Sequence, residues 1–306
     1  MTVDEGLVAS RFLHFAALLF VFGSALFPLY AFAAGANRTK ASFTHWLRSW
    51  IFAACLLAFV SGAAWLLFAS ASMAGSLSEA LSLETMRTIL LGTAFGKVWS
   101  AHLALVAALA IVARFDKGHR PASRAILSAV CLAGLAGVGH TRAQDGVDFL
   151  VHTASDGTHL LAAGAWLGGL VSLLAILRRP DAQTPLEADT IRMLLRFSRM
   201  GYLAVAVLIA TGAINGWYSI GSVRQMPASL YGQLLIAKLG FFTLMLLLAA
   251  MNRFWLVPAL RTSASREQRA ATLSRLRLHI VGEQFLGLLI VAVVSVLGTE
   301  DPTAGG

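Results

Sequence analysis

The chain has 306 residues, of which 58% are hydrophobic and 13% charged. Soluble domains carry about 25% charged residues, so a soluble globular class is excluded. A formal charge of +9 would suit a nucleic-acid binder only if the basic residues shared one patch, and here they fall into alternate connections between apolar runs.

Eight apolar runs of about 20 residues, the length that spans a bilayer core of roughly 30 Å, lie at about 12–33, 50–69, 89–113, 122–140, 158–177, 200–220, 231–251 and 279–297. Backbone amides facing lipid must be satisfied within their own segment, so each run is predicted to be a helix. The connections are short and no second, soluble unit is visible, so residues 1–306 read as a single membrane domain.

In chain order, "MTVDEGLVASR" has no basic n-region of a signal peptide, so the first run is predicted to be a retained helix, with His14 at its outer end. The second and fourth runs hold Cys55 and Cys131 in mid-span, where small apolar packing residues are the expectation. Between the second and third runs lie Met73 and Met86, whose thioethers suit Cu(I), as does that of Met226 later in the chain. The third run opens on "GTAFGKV", which has three residues between its glycines and Val98 in place of a phosphate-loop hydroxyl. Gly92 and Gly96 are instead expected to form a small-residue face for helix approach. Lys97 follows in the outer half, and His102 sits near mid-span.

The fourth run ends at Gly139 and His140, and the next stretch gathers His152, Asp156 and His159 at spacing i, i+4 and i+7. On a helix these three fall within roughly 60° of one another, along a strip about 10 Å long. Imidazole and carboxylate together suit Cu²⁺, Zn²⁺ or Ni²⁺, and the carboxylate can alternatively orient an imidazole. Trp166 lies another seven residues on. The seventh run carries Lys238 in its outer half and closes on Asn252 and Arg253, read as a helix end with a basic anchor. The eighth carries His279 and Glu283 on one face near its inner end. Estimated depths put Glu283 roughly 14 Å below Lys238, which argues against a direct pair. A carboxyl inside the bilayer needs a partner or a task, so Glu283 is expected either to meet an inner-loop arginine or to serve a relay.

The connections at 34–48, 114–124, 178–199 and 252–277 hold 18 of the 24 Lys and Arg with five acids, whereas the opposite side has four basic residues against nine acids. The basic side is therefore cytoplasmic and both termini are periplasmic. The predicted fold is an all-α, polytopic integral membrane bundle of eight transmembrane helices. On that topology His14, His140, His152 and His159 share the outer level, while His45, His119 and His279 lie on the inner side. The candidate metal ligands are His14, His140, His152, Asp156 and His159; the candidate relay residues are His102, Lys238, His279 and Glu283.

With these residues in place, the chain resembles the bacterial copper resistance protein D family. The resemblance rests on "RFLHFAALLFVFGSALF" in the first helix, "GH" at Gly139–His140 and "DGTHLLAAGAWLGGL" at Asp156–Leu170. It continues through "YGQLLIAKLGFFTLMLLLAAMNRFWLVPAL" and "GEQFLG" and covers essentially the whole chain. It implies an inner-membrane protein, not an enzyme, that takes copper from the periplasmic side, with a soluble periplasmic copper carrier as partner. His14, His140, Asp156, His159, Trp166, Gly168 and Gly169 fall on the family's outer motifs, and Lys238, Asn252 and Glu283 on those of its C-terminal half. His152 matches no such motif, so its ligand role rests on spacing.

The leading expectation is copper transport through the outer histidine cluster, with membrane lipid and no nucleic acid as surroundings. The alternative is a haem-binding membrane cytochrome b-like oxidoreductase, because a bis-imidazole haem also needs facing histidines at one level. A scaffold that docks a periplasmic partner is a third reading, and it leaves the histidines without a role.

Overall fold

The structure is a computed structural model that describes residues 2–32, 37–115, 121–138, 146–178, 187–219 and 229–300. In chain order its elements are α1 (Val3–Tyr30), α2 (Asn37–Ala74), α3 (Leu77–Ala80), α4 (Leu83–Gly92), α5 (Ala94–Phe115) and α6 (Pro121–Gly134). Then come α7 (Gly146–Leu177), α8 (Glu187–Ser219), α9 (Leu230–Met251), α10 (Val257–Thr262) and α11 (Arg266–Leu297). A 3₁₀ turn, Leu135–Val138, extends α6, and a π-helical turn, Asn252–Leu256, joins α9 to α10.

The protein is an all-α, membrane-spanning helical bundle. Among the described residues, seven helices are long and apolar enough to cross a membrane. The fourth predicted run coincides with the shorter apolar helix Pro121–Gly137. Helices overrun the apolar runs because capping, not hydropathy, sets where helical bonding stops. In α1, Thr2 caps the first turn: Glu5 N–H donates to Thr2 Oγ1 at 3.1 Å while Thr2 N–H donates to Glu5 Oε2 at 2.9 Å.

The third predicted run is broken. Thr93 adopts an extended backbone between α4 and α5, and its hydroxyl accepts from Gly96 N–H at 2.9 Å. A Cβ on Gly96 would lie 2.1 Å from the Ile89 carbonyl oxygen, so this glycine lets α5 fold back against α4, whereas Gly92 meets only Thr88. The expected shared face of Gly92 and Gly96 is thus an elbow that depends on Gly96 alone.

Helix α1 packs against α2, α6, α7 and α11. Its crossing with α7 is close: a Cβ on Gly23 would sit 2.2 Å from the Gly164 carbonyl oxygen, and one on Gly168 2.3 Å from that of Leu19. Small residues at this crossing allow backbone contact where apolar lipid supplies no drive for association. The core runs from Leu18 and Val21 through Trp99, Leu132 and Leu170 to Leu276 and Ile280. Arg11 of α1 crowds Gly298, just past α11, so the start of α1 and the end of α11 share one end of the bundle. Helix α9 packs mainly on α11, and between α8 and α9 the bundle opens into a cavity of about 890 Å³.

Candidate functional site

The strip predicted in the opening stretch of α7 is helical, since α7 begins at Gly146 and carries His152, Asp156 and His159 together. All three line one cavity of about 190 Å³, joined there by Asn215 of α8 and Lys238 of α9. His159 Nδ1 lies 2.9 Å from Thr211 Oγ1, and the Thr211 hydroxyl donates to the Val207 carbonyl at 2.6 Å. With that proton committed, the threonine oxygen accepts from His159 Nδ1–H, which puts the imidazole lone pair on Nε2. Asn215 Nδ2 donates to Asp156 Oδ1 at 3.3 Å, and the His152 ring stacks on Tyr218 at 4.9 Å. Lys238 lies close enough to interact electrostatically with both Asp156 and His159. The strip is therefore a mixed imidazole, carboxylate and ammonium site.

The structure groups the other histidines differently from the sorting by depth. His14 is fully buried, and its Nε2 faces His102 Nε2 at 2.9 Å. His14 Nδ1 lies 2.8 Å from the Ala58 carbonyl oxygen, which can only accept, so Nδ1 carries the proton and Nε2 the lone pair. His102 in turn stacks on Trp99, whose indole N–H donates to the Gly62 carbonyl at 2.9 Å. Trp65 packs edge-on against His14 and also lines the strip's cavity. Trp65 thus touches the buried histidine pair and the strip's cavity alike. The reason His14 lies deeper than expected is the early start of α1 at Val3, for which the capping sequence Thr2–Glu5 is the signal.

A nitrogen separation of 2.9 Å decides what the pair can hold. With metal–imidazole bonds of about 2.0–2.1 Å, it corresponds to an N–metal–N angle of about 90°. An iron with two axial imidazoles needs the nitrogens about 4 Å apart with a macrocycle between them, which this arrangement does not offer. Among the described residues, no three His, Cys, Asp or Glu side chains converge on a point that could hold a metal ion. Among the described residues, the outer-level histidines thus fall into an α7 strip, with His152 and His159, and a separate His14–His102 pair. His140 lies outside the described residues.

A second polar site lies at the other end of the predicted relay. Glu283 of α11 is 2% exposed and accepts from Asn252 Nδ2 at 2.6 Å. Asn252 Oδ1 accepts from His279 Nδ1–H at 2.9 Å, and Trp166 of α7 lines the same cavity as Glu283. The partner of Glu283 is thus Asn252 instead of an inner-loop arginine, and Asn252 opens a π-helical turn where a helix end was expected. Asn252 reads as an ordinary polar residue at a run boundary, and the π turn leaves no trace in hydropathy.

Three cavities follow α7 between these sites. The strip's cavity shares His159, Gly212, Gly216, Leu235 and Lys238 with the 890 Å³ cavity, which shares Trp166 with a third, of about 220 Å³, that Glu283 lines.

Two family models match the chain: "Copper resistance protein D-like, N-terminal domain" over residues 1–150 and "Copper resistance protein D" over residues 191–297. The chain is 28% identical over 300 residues to copper resistance protein D of Pseudomonas syringae pv. tomato, with 96% of each chain covered. It is 29% identical over 295 residues to inner membrane protein YebZ of Escherichia coli K12, covering 96% of this chain and 98% of the relative. Copper transport protein CutJ of Bacillus subtilis 168 is 31% identical over 212 residues, which are 65% of this chain and 38% of that longer protein. None of these names is that of an enzyme. No solved structure matches the chain. The relatives and the membrane-length helices make this a multi-spanning bacterial inner-membrane protein.

Proposed function

The chain belongs to the copper resistance protein D family, and from that premise we propose that it takes copper from the periplasmic side and moves it across the inner membrane. In this reading the chain acts as one membrane unit of eight spans, with α6 as the short fourth span. Both termini face the periplasm, in keeping with the shared end of α1 and α11 and with the basic connections at the opposite end. A periplasmic copper carrier delivers the ion to the strip of His152, Asp156 and His159, joined by His140. Copper then passes Trp65 to His14 and His102.

The observation that carries this reading is the buried His14–His102 contact at 2.9 Å. Two imidazoles in a membrane interior, one anchored through Nδ1 to a backbone carbonyl, form a preoriented nitrogen pair of the kind copper binds. The strip supports it in the same way, because Thr211 holds His159 with its Nε2 lone pair available.

The test is copper uptake into proteoliposomes holding the purified protein. His159→Ala and His102→Ala are expected to lower uptake strongly, and His45→Ala, on the exposed face of α2, to leave it unchanged. Equal effects at His45 and His159 would refute the proposed route.

A further inference from the structure

The site around Glu283 has a different chemistry from the histidine pair. Asn252 Nδ2 directs an N–H donor at the carboxyl, where a metal ion would need a lone pair. Among the described residues Glu283 has no ion-pair partner, although it is buried inside a membrane-spanning helix. A charge left there unpaired is costly, so the carboxyl must hold a proton or be neutralised by an arriving cation. The groups around it are Trp166 from α7, Tyr202 from α8, Asn252 and Arg253 from the π-helical turn, and His279 from α11. Arg253 lines the same cavity and its Nε has no hydrogen-bond partner among the described residues, so a positive side chain is at hand when the proton leaves.

Asn252 joins Glu283 to His279. Its amide bonds Glu283 with one end and half-buried His279 with the other, so the imidazole and the carboxyl share one fixed linker. Asn252 also starts the π turn, in which the Val257 N–H donates to the Asn252 carbonyl. Such turns inside helices recur at functional sites. Toward the strip, the cavity beside Glu283 meets the 890 Å³ cavity at Trp166, seven residues past His159 or about 10 Å along α7.

We propose that Glu283, bonded by Asn252 and linked through it to His279, is an exchangeable proton site that couples ion movement along α7 to proton movement. The coupling rests on the transport reading above; the proton site does not.

Two measurements on the full-length protein test the two parts separately. In infrared difference spectra taken without copper, the wild type shows a carbonyl band of a buried carboxylic acid that is absent from Glu283→Gln. If the two spectra coincide across the pH range, the proton site is refuted, whatever copper does. In proteoliposomes supplied with Cu(I) kept reduced by ascorbate, one proton exchanged per ion makes a gradient of one pH unit change steady-state copper accumulation about tenfold. Glu283→Gln abolishes that response while binding the same amount of copper at the outer histidines, and Glu283→Asp, which keeps the acid, retains it. A Glu283→Gln protein that responds to the gradient like the wild type overturns the coupling. A wild type that accumulates no copper with or without a gradient overturns the transport reading and the coupling with it, and leaves the proton site to be judged by its infrared band.

Discussion

Replacing His102 with phenylalanine separates the nitrogen of the histidine pair from its packing. Phenylalanine keeps a ring against Trp99, which stacks on His102 with centroids 5.0 Å apart, but removes the group that faces His14 Nε2 at 2.9 Å. His14 is fully buried, so the orphaned nitrogen meets no water, and a buried polar group without its partner costs about 1–3 kcal/mol. Direct measurements of single interhelical hydrogen bonds in membranes average about 0.6 kcal/mol and reach about 1.7. The double variant His14→Phe/His102→Phe removes both partners, and the Ala58 carbonyl still accepts from the Ser61 hydroxyl at 3.2 Å. The double variant is therefore expected to be more stable than the sum of the single losses by about 0.6–1.7 kcal/mol. Reversible unfolding in mixed micelles measures the cycle, and copper uptake is measured on the same three proteins. Uptake should fail in all three, because copper loses at least one nitrogen in each. A cycle with no coupling would refute the hydrogen bond, and a His102→Phe protein that still takes up copper would refute the role of the pair.

Thr211→Val removes the oxygen that accepts from His159 Nδ1–H, so the ring loses its fixed orientation; copper affinity is expected to fall about 10–100-fold by equilibrium titration with the fold intact. Gly168→Ala sets a Cβ 2.3 Å from the Leu19 carbonyl oxygen and should destabilise the bundle by about 1–3 kcal/mol or more in the same unfolding assay. Gly240→Ala, on α9 with nothing within 4 Å of the new Cβ, should instead be neutral or stabilise by about 0.4–1 kcal/mol.

The helices were legible because hydrocarbon demands continuous apolar runs, and each predicted run overlaps a helix of the structure. Their ends were not, because a helix continues into water for as long as its end groups are capped. Thus α7 begins at Gly146 and α11 at Arg266, where Ser265 accepts from Gln268 N–H, well before the runs predicted at 158 and 279. The break at Thr93 was hidden for the opposite reason: the elbow lies within an apolar run, and only the steric demand at Gly96 marks it. Geometry within one helix transferred well to the site, since His152, Asp156 and His159 line one cavity as the i, i+4, i+7 spacing requires. Geometry between helices did not. The meeting of His14 with His102 depends on how α1 and α5 are rotated and offset, and contacts such as Gly23 on Gly164 and Gly168 set that packing for α1.

Lys238 and Glu283 show how the same between-helix geometry joins the two polar sites. The depth estimate separated them, and in the structure Lys238 belongs to the strip's cavity while Glu283 bonds Asn252. Yet both sites draw on α9, which contributes Lys238 to one and leads directly into Asn252 at the other. Of its residues only Gly232 and Met245 are buried, its main packing is on α11, and the side toward α8 is a cavity. A helix held on one side can shift as a body at less cost than one packed all round, because fewer close contacts must be broken. Since Lys238 and Asn252 ride on one continuous element, such a shift changes the charge facing His159 and the hydrogen bond to Glu283 together. In the transport reading proposed above, that shared element is what would let copper at the outer strip and a proton at Glu283 sense each other without touching.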